Sequence, residues 1–186
     1  MLNITEGDNE CYISKEERIN ELMDLYASDL KRIAYLYVND RVQCEDIVQE
    51  VFISCYKNLN KFRMESSYKT WLIRITVNKC KDFKRKWSIR NIVYRPFVDP
   101  EKNKAEQGKT PSEYLEEKED SEAIINVIRS LSPKYQDVLI LFYYYDLTLK
   151  EISIITKVKF NTVKSRITRG RELLKGELER RGYKYG

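Results

Sequence analysis

The chain has 186 residues, 42% of them hydrophobic, with six glycines and four prolines, a composition that favours packed helices over disorder or a turn-rich β fold. Histidine is absent and the four cysteines form no CxxC pair, so the sequence predicts no metal site, no cofactor and no enzyme. The net charge is +5, and neither a signal peptide nor an apolar run of about 20 residues is present, which predicts a soluble cytoplasmic protein without direct membrane insertion.

The first third of the chain predicts a polar tail and two helices. Residues 1–14 are polar and irregular, and we expect a disordered tail there. From Lys15 to Val38, apolar residues recur at steps of three, four and seven, which predicts an amphipathic helix. Its predicted buried positions are Ile19, Leu22, Leu25, Tyr26, Ile33 and Tyr37. A second helix is predicted from about Cys44 to Leu59, with one continuous acidic and polar outer face formed by Asp46, Gln49, Glu50 and Ile53.

A third helix is predicted near Tyr68 to Trp87, after a short polar connection. One side of it carries an aromatic residue followed by polar and basic ones, at spacings of 3, 4, 3 and 4: Trp71, Arg74, Asn78, Lys81 and Arg85. An exposed tryptophan beside cations offers stacking and phosphate contacts together, which is what single-stranded nucleic acid requires. The same spacing also fits a core tryptophan beside an ordinary solvated basic face, and periodicity does not separate the two.

Charge divides the chain into alternating blocks. Residues 68–95 and 150–186 are strongly basic, whereas the segment 99–122 between them is acidic. Two separated basic blocks favour two contact areas on a polyanion, although ordinary solvated helix faces would give the same pattern. Residues 91–120 contain three of the four prolines and little apolar periodicity, and we interpret them as a linker.

The last third of the chain predicts three further helices in a second small domain, residues 121–182. Ser132-Pro133 has the pattern of a helix start. Residues 148–151 have capping-box spacing and open a short helix, and a turn near 158–160 precedes a final helix from about Asn161 to Glu179. The pair has the length and turn of a helix-turn-helix motif. The sequence thus predicts an all-α protein of two small helical domains, with the first domain at residues 15–90.

The final helix has a docking side and a polar side. Val163, Ile167, Gly170 and Leu174 share the side that can pack on the domain. The opposite side carries Asn161, Lys164, Ser165, Thr168 and Arg171, flanked by Arg166 and Arg169. Arginine and lysine suit guanine edges and phosphates, so this face suits insertion in the major groove, although basic helical hairpins also occur as plain surface elements.

Two ordered stretches resemble a known family. EDIVQEVF at 45–52 and FRMESSYKTWLIRI at 62–75 resemble region 2 of the extracytoplasmic-function (ECF) sigma factors of the sigma-70 family. LSPKYQDVL at 131–139 and NTVKSR at 161–166 resemble their region 4. The resemblance implies an alternative sigma factor that binds core RNA polymerase, recognises the −10 and −35 promoter elements and promotes melting of promoter DNA.

The resemblance also implies a role for each polar surface. Docking on the clamp helices of the polymerase β′ subunit is implied for Asp46, Gln49, Glu50 and Ile53. Capture of the −10 element, including the melted nontemplate strand, is implied for Phe62, Arg63, Ser66, Ser67, Trp71, Arg74, Asn78, Lys81 and Arg85. Contact with the −35 duplex is implied for Asn161, Thr162, Lys164, Ser165, Thr168, Arg169 and Arg171. The implied partners further include the β flap of the polymerase and an anti-sigma factor.

The sequence departs from the family pattern at four positions. Met64 stands where glycine is usual, Asn58 where a small apolar residue is common, Phe142 where arginine is frequent, and Gly170 where alanine is frequent. Two other functions would each explain part of the sequence. A helix-turn-helix regulator acting without polymerase leaves the acidic face at 46–53 without a purpose. A nucleic-acid enzyme lacks the residues to complete a metal site.

Overall fold

The computed structural model describes residues 14–62, 66–93 and 115–183, and all regular structure within these ranges is helical. This confirms the predicted all-α fold. The helices are α1 (Lys15–Val38), α2 (Arg41–Asn58), α3 (Tyr68–Val93), α4 (Leu115–Ser130), α5 (Pro133–Tyr143), α6 (Leu149–Thr156) and α7 (Phe160–Arg180). A single 3-10 turn at Leu59–Lys61 follows α2. Most of the predicted tail and linker, together with Arg63 and Met64, lie outside the described residues.

Local signals fix the ends of the first two helices. Ser14 and Glu17 form a capping box, in which the Glu17 backbone N–H donates to Ser14 Oγ over 3.1 Å and the Ser14 N–H donates to Glu17 Oε2 over 2.8 Å. Asn39 ends α1 in the left-handed region at φ 58°, which asparagine tolerates better than most residues. Asp40 then accepts a hydrogen bond from the Gln43 N–H and starts α2. The chain therefore reverses within two residues, and α2 folds back on α1.

The core of the first three helices follows most of the predicted pattern. Ile33, Val51 and Leu72, one residue from each helix, have essentially no exposed surface. The prediction that Leu25 is buried was wrong, since this side chain is 68% exposed. The buried stripe passes from Leu22 to the partly buried Tyr26, four residues on, and Leu25 lies about 100° around the helix from Tyr26, on the solvent side.

The second half of the described chain is a four-helix unit. α4, which the sequence analysis did not predict as a helix, begins at Leu115, before residue 121, where the second domain was predicted to begin. Its first turns are almost entirely charged and show no apolar period. Pro133 opens α5 at the first helical position, where its missing N–H costs nothing. Thr148 and Glu151 form the predicted capping box of α6. Ser153 Oγ donates to the Val158 carbonyl over 2.6 Å and braces the turn into α7.

The two halves of the molecule are packed together. Their apolar cores are continuous, with α3 contacting α6 and α1 contacting α4. The −10 candidates on α3 and the −35 candidates on α7 therefore belong to one body in this structure.

Candidate nucleic-acid and protein interfaces

The outer face of α2 has the predicted composition and exposure. Asp46, Gln49 and Glu50 are exposed, and Ile53 beside them is 55% exposed. Glu50 Oε2 accepts a hydrogen bond of 2.8 Å from Lys79 Nζ on α3, and this bond is the main reason why the pKa of Glu50 lies below its usual range. The face presents two exposed carboxylates, of Asp46 and Glu50, and an exposed aliphatic side chain, that of Ile53. It repels phosphate and suits a basic protein surface.

A shallow apolar groove, which the sequence analysis missed, lies between α1 and α2 next to this face. Its lining residues are Met23, Ala27, Lys31, Glu45, Val48, Gln49 and Phe52. Lys31 Nζ lies 3.4 Å from Glu45 Oε1 across the groove. The sequence does contain a sign of this groove. Met23 and Ala27 are four residues apart, so they share one side of α1, next to the predicted buried stripe.

The expectation that Trp71 is an exposed stacking residue was wrong, since it is only 7% exposed. Phe62, from the turn before α3, lies with its ring centroid 4.8 Å from that of Trp71 and 4.5 Å from that of Tyr68. The three rings pack on one another at the start of α3, and the burial of their apolar surface stabilises the fold. In this structure Trp71 is buried in packing, and Phe62 is half-buried against the rings of Trp71 and Tyr68.

The polar residues of the predicted α3 stripe differ in their surroundings. Asn78 and Arg85 are exposed, whereas Arg74 and Lys81 are half-buried. Arg85 Nη2 lies 3.0 Å from Asp82 Oδ1, in an exposed pair of the kind that contributes little. The cations of the stripe are thus in part engaged by carboxylates.

The start of α3 is fixed by serine and threonine. Ser67 Oγ accepts a hydrogen bond of 3.1 Å from the Thr70 N–H, as a helix cap does. Thr70 is buried, and its hydroxyl lies 3.2 Å from Glu151 Oε1 of α6. Ser66 is half-buried beside this cap. The described end of the predicted −10 loop therefore contacts the second half of the molecule.

The recognition face of α7 is exposed as predicted. The exposed candidates are Asn161, Thr162, Lys164, Ser165, Thr168, Arg169 and Arg171. On the opposite side Val163, Ile167 and Gly170 are buried. Glu172, which the sequence analysis did not single out, lies in the same shallow concavity and its carboxylate is 2.7 Å from Arg169 Nη1. The face is basic and polar with one acidic group at its edge.

Gly170 allows α7 to pack closely on α5. A Cβ at this position would lie 3.2 Å from the Leu139 side chain, which is closer than side chains normally approach. Glycine lowers the helix propensity of α7 at this position, but its lack of a side chain lets α7 pack closely against Leu139 of α5.

The contact between the halves includes a buried polar cluster that the sequence analysis missed. Asp137 of α5 is 7% exposed, and its carboxylate lies 2.6 Å from Lys81 Nζ and 3.2 Å from the Tyr37 hydroxyl. Burial and the adjacent Asp137 raise the pKa of Tyr37 well above its usual value, so the hydroxyl stays protonated and donates to the carboxylate. Sequence periodicity had no means of joining residues 100 positions apart.

Arg129 of α4 joins the halves at the end of α1. Its guanidinium donates to the Leu36 carbonyl over 3.2 Å and to the Tyr35 carbonyl over 2.9 Å. These carbonyls belong to the last turn of α1, which contains no basic residue of its own. A cation from the other half therefore satisfies the negative end of that helix.

The cysteines of the described ranges are structural. Cys44, Cys55 and Cys80 are buried free thiols, and burial raises the pKa of Cys55 to about 11 and of Cys80 to about 12. Among the described residues, no three acidic, cysteine or histidine side chains are grouped closely enough to hold a metal ion. In the same part of the chain, no helix has the length and apolarity needed to cross a bilayer.

Comparison with known proteins identifies both halves. Residues 22–88 match the family model of sigma-70 region 2, and residues 121–174 match that of sigma-70 region 4. The chain is similar to the ECF RNA polymerase sigma factor SigW of Bacillus subtilis, at 30% identity with 94% of this chain and 92% of the relative covered. It is also similar to SigX of the same organism, at 27% identity with 88% and 85% covered.

Solved structures agree at the level of the fold. The sigma factor RpoE of Bartonella quintana, solved in complex with the anti-sigma factor NepR, matches with a TM-score of 0.71 at 21% identity, covering 88% of this chain and 98% of that one. CnrH, solved with the cytosolic domain of CnrY, matches with a TM-score of 0.65 at 18% identity, covering 88% and 89%. The chain therefore belongs to the ECF sigma factors of the sigma-70 family, and it is an alternative sigma factor for promoter recognition and transcription initiation.

Proposed function

We propose that this sigma factor divides its work among three surfaces, each carried by a different helix. The observation that best supports the division is the contrast between the exposed acidic face of α2 and the exposed basic face of α7. A phosphate backbone attracts the second face and repels the first. A chain that binds only duplex DNA has no use for the first face, whereas a polymerase subunit needs both.

The face of α2 formed by Asp46, Gln49, Glu50 and Ile53 is the proposed docking surface for the clamp helices of the β′ subunit. Ile53 offers an apolar contact at one end of the face, and the carboxylates of Asp46 and Glu50 favour a basic partner surface. The second half of the chain would dock on the β flap. The neighbouring groove between α1 and α2 widens the surface that a protein partner can use.

The −10 element is proposed to be held by α3 and the loop before it. Asn78 and Arg85 are exposed and can reach a base edge and a phosphate. Arg74 and Lys81 can join them, and Ser66 and Ser67 position the described end of the loop. Phe62 and Trp71 act in this proposal by supporting the pocket from beneath, since their rings are stacked on one another.

The −35 duplex is proposed to be bound by the recognition face of α7. Lys164, Arg169 and Arg171 supply the positive charge for phosphates and guanine edges. Asn161, Thr162, Ser165 and Thr168 supply shorter polar contacts. The Arg169–Glu172 pair must loosen before Arg169 can contact DNA.

We place the protein in the bacterial cytoplasm as a non-catalytic factor, with residues 15–90 and 121–182 as its two functional domains and 91–120 as the linker. An anti-sigma factor is a proposed further partner. Its support is the likeness to RpoE and CnrH, each solved with a partner protein, RpoE with the anti-sigma factor NepR.

The test is co-purification with core polymerase followed by run-off transcription on genomic fragments. The double variant Gln49→Ala, Glu50→Ala should bind core at least tenfold more weakly, because it removes two exposed polar side chains from the docking face. Glu21→Ala on α1 is the matched control, since Glu21 is also exposed and forms only an exposed pair with Arg18. Equal core binding by the double variant and the wild type would remove the docking surface from α2.

A further inference from the structure

We propose that Phe160, at the start of α7, recognises a thymine of the −35 element by packing on its C5-methyl group. The inference rests on the proposed function of α7 and goes beyond it. The recognition face described above consists of polar and charged side chains, and Phe160 is not among them. The proposal adds one apolar, base-specific contact to that face.

Phe160 is an exposed aromatic residue at the first position of α7, with 49% of its surface accessible. The other large apolar side chains of this helix are less exposed: Val163, Ile167 and Leu178 are buried, and Leu173 and Leu174 are half-buried. Single exposed apolar residues are common on protein surfaces, so exposure by itself assigns no function. The place of Phe160 in the helix-turn-helix motif supplies the further argument.

Phe160 lies at the end of α7 that a helix-turn-helix motif inserts into the major groove. Asn161 is its neighbour in the sequence, and Lys164 lies one turn further on, about 40° around the helix. Both belong to the exposed recognition face. Helical side chains lean toward the N-terminus of their helix, which puts Phe160 at the leading end of this face. Phe160 is therefore placed where base edges are within reach.

The charges around Phe160 favour DNA as its partner. Lys157, Lys159 and Lys164 are exposed, and residues 160–163, the first turn of α7, include no acidic side chain. Three cations near one helix start attract the phosphates that border a groove. They would hold the Phe160 ring against the DNA, where the ring gains free energy only by covering another apolar group.

The thymine methyl group is the apolar group that fits this requirement. In the major groove each base presents hydrogen-bonding groups, and thymine in addition presents its C5-methyl group. Phenylalanine is among the side chains that pack on this methyl, whereas asparagine suits adenine and lysine suits guanine. With Asn161 and Lys164 beside it, Phe160 extends the readout of the face to thymine.

The first measurement is selection of the −35 segment by the complete holoenzyme. The promoter fragments carry a randomised −35 segment and the −10 region of a promoter that the holoenzyme transcribes. We expect the wild type to prefer thymine at one position or more, and Phe160→Ala should lose this preference while preferences at neighbouring positions remain. Phe160→Leu keeps an apolar side chain and should keep most of the preference. The matched control is Tyr143→Ala, which removes a 45% exposed aromatic side chain at the end of α5 and should select the same bases as the wild type.

The second measurement removes the methyl group from the DNA instead of the ring from the protein. Deoxyuridine in place of the preferred thymine removes the C5-methyl group and leaves every hydrogen-bonding group of the base unchanged. The wild-type holoenzyme should bind this promoter about threefold to fourfold more weakly, the effect of one buried methyl group. Binding by the Phe160→Ala holoenzyme should not change. An equal loss in both proteins, or no loss in the wild type, would overturn the proposal.

The outcomes separate this inference from the proposed function of α7. Alanine favours helix more than phenylalanine does, so Phe160→Ala should keep the helical circular dichroism of the wild type. A selected element without thymine, or a thymine preference that survives Phe160→Ala, would overturn the inference and leave α7 as the −35 reader. No selected base anywhere in the randomised segment would instead refute the proposed function of α7, and the inference with it.

Discussion

The Tyr37 hydroxyl offers a direct measure of how firmly the two halves are joined. Tyr37→Phe removes one oxygen and leaves the buried ring in place, so it creates almost no cavity. With the two halves packed together, as in this structure, the variant loses a buried hydrogen bond to a carboxylate. If the two halves were apart in solution, the Tyr37 hydroxyl would bond to water and its removal would cost no stability.

The size of the loss follows from the geometry. Hydrogen bonds to charged groups contribute about 1.5–3 kcal/mol, and the 3.2 Å separation is long for an O–H···O bond, which places this one near 1.5 kcal/mol. Asp137 keeps its ion pair with Lys81, so the larger cost of an unpaired buried charge does not arise. For a chain of this length, 1.5 kcal/mol lowers the melting temperature by about 3–6 °C.

Thermal and urea unfolding followed by circular dichroism test this value. Tyr56→Phe is the matched control, because the Tyr56 hydroxyl also donates to a carboxylate, that of Glu16, over 2.6 Å, but this bond lies at the surface and Tyr56 is 39% exposed. We expect no measurable change for the control. If the two variants lost equal stability, or if Tyr37→Phe lost none, the Tyr37 hydroxyl would not be bound to a buried Asp137 carboxylate in solution.

Three other predictions concern the binding surfaces and the core. Lys164→Ala should weaken binding of the holoenzyme to a promoter with a −35 element by about 1–3 kcal/mol if Lys164 contacts base edges. If Lys164 contacts phosphate instead, the slope of log K against log salt concentration should fall by about 1. Equal losses of affinity on promoters with and without the element would contradict this role. Asn78→Ala should reduce permanganate reactivity of the melted region more than closed-complex binding, since Asn78 is exposed and its removal leaves the core of α3 untouched. Because burial raises the pKa of Cys80 to about 12, the unfolded chain releases a proton near pH 9 that the folded state retains. The free energy of unfolding should therefore be unaffected by this thiol below about pH 8.5 and fall by up to about 1.4 kcal/mol per pH unit above it. Urea midpoints at pH 8 and pH 10 should show a smaller decrease for Cys80→Ala than for the wild type.

Much of the fold could be predicted from residue spacing because it depends on local chemistry. The bounds of α1 and the capping boxes of α1 and α6 involve residues three or four positions apart, which the sequence displays directly. The exposed faces of α2 and α7 follow from helical geometry in the same way. The family followed from two ordered motifs, and the functional roles of individual side chains remain predictions.

Contacts between elements that are distant in the sequence depend on the tertiary structure and cannot be predicted from residue spacing. Trp71 has the spacing of an exposed stripe, but Phe62 reaches it from a turn nine residues earlier and stacks on its ring. Lys81 belongs to the same basic stripe, and only the packing of α5 on α3 makes it the partner of Asp137. A helical pattern states which residues share a side; which element covers that side depends on the three-dimensional path of the chain. Apolar burial brings the two halves together here, and the desolvated carboxylate between them then requires its lysine and tyrosine partners.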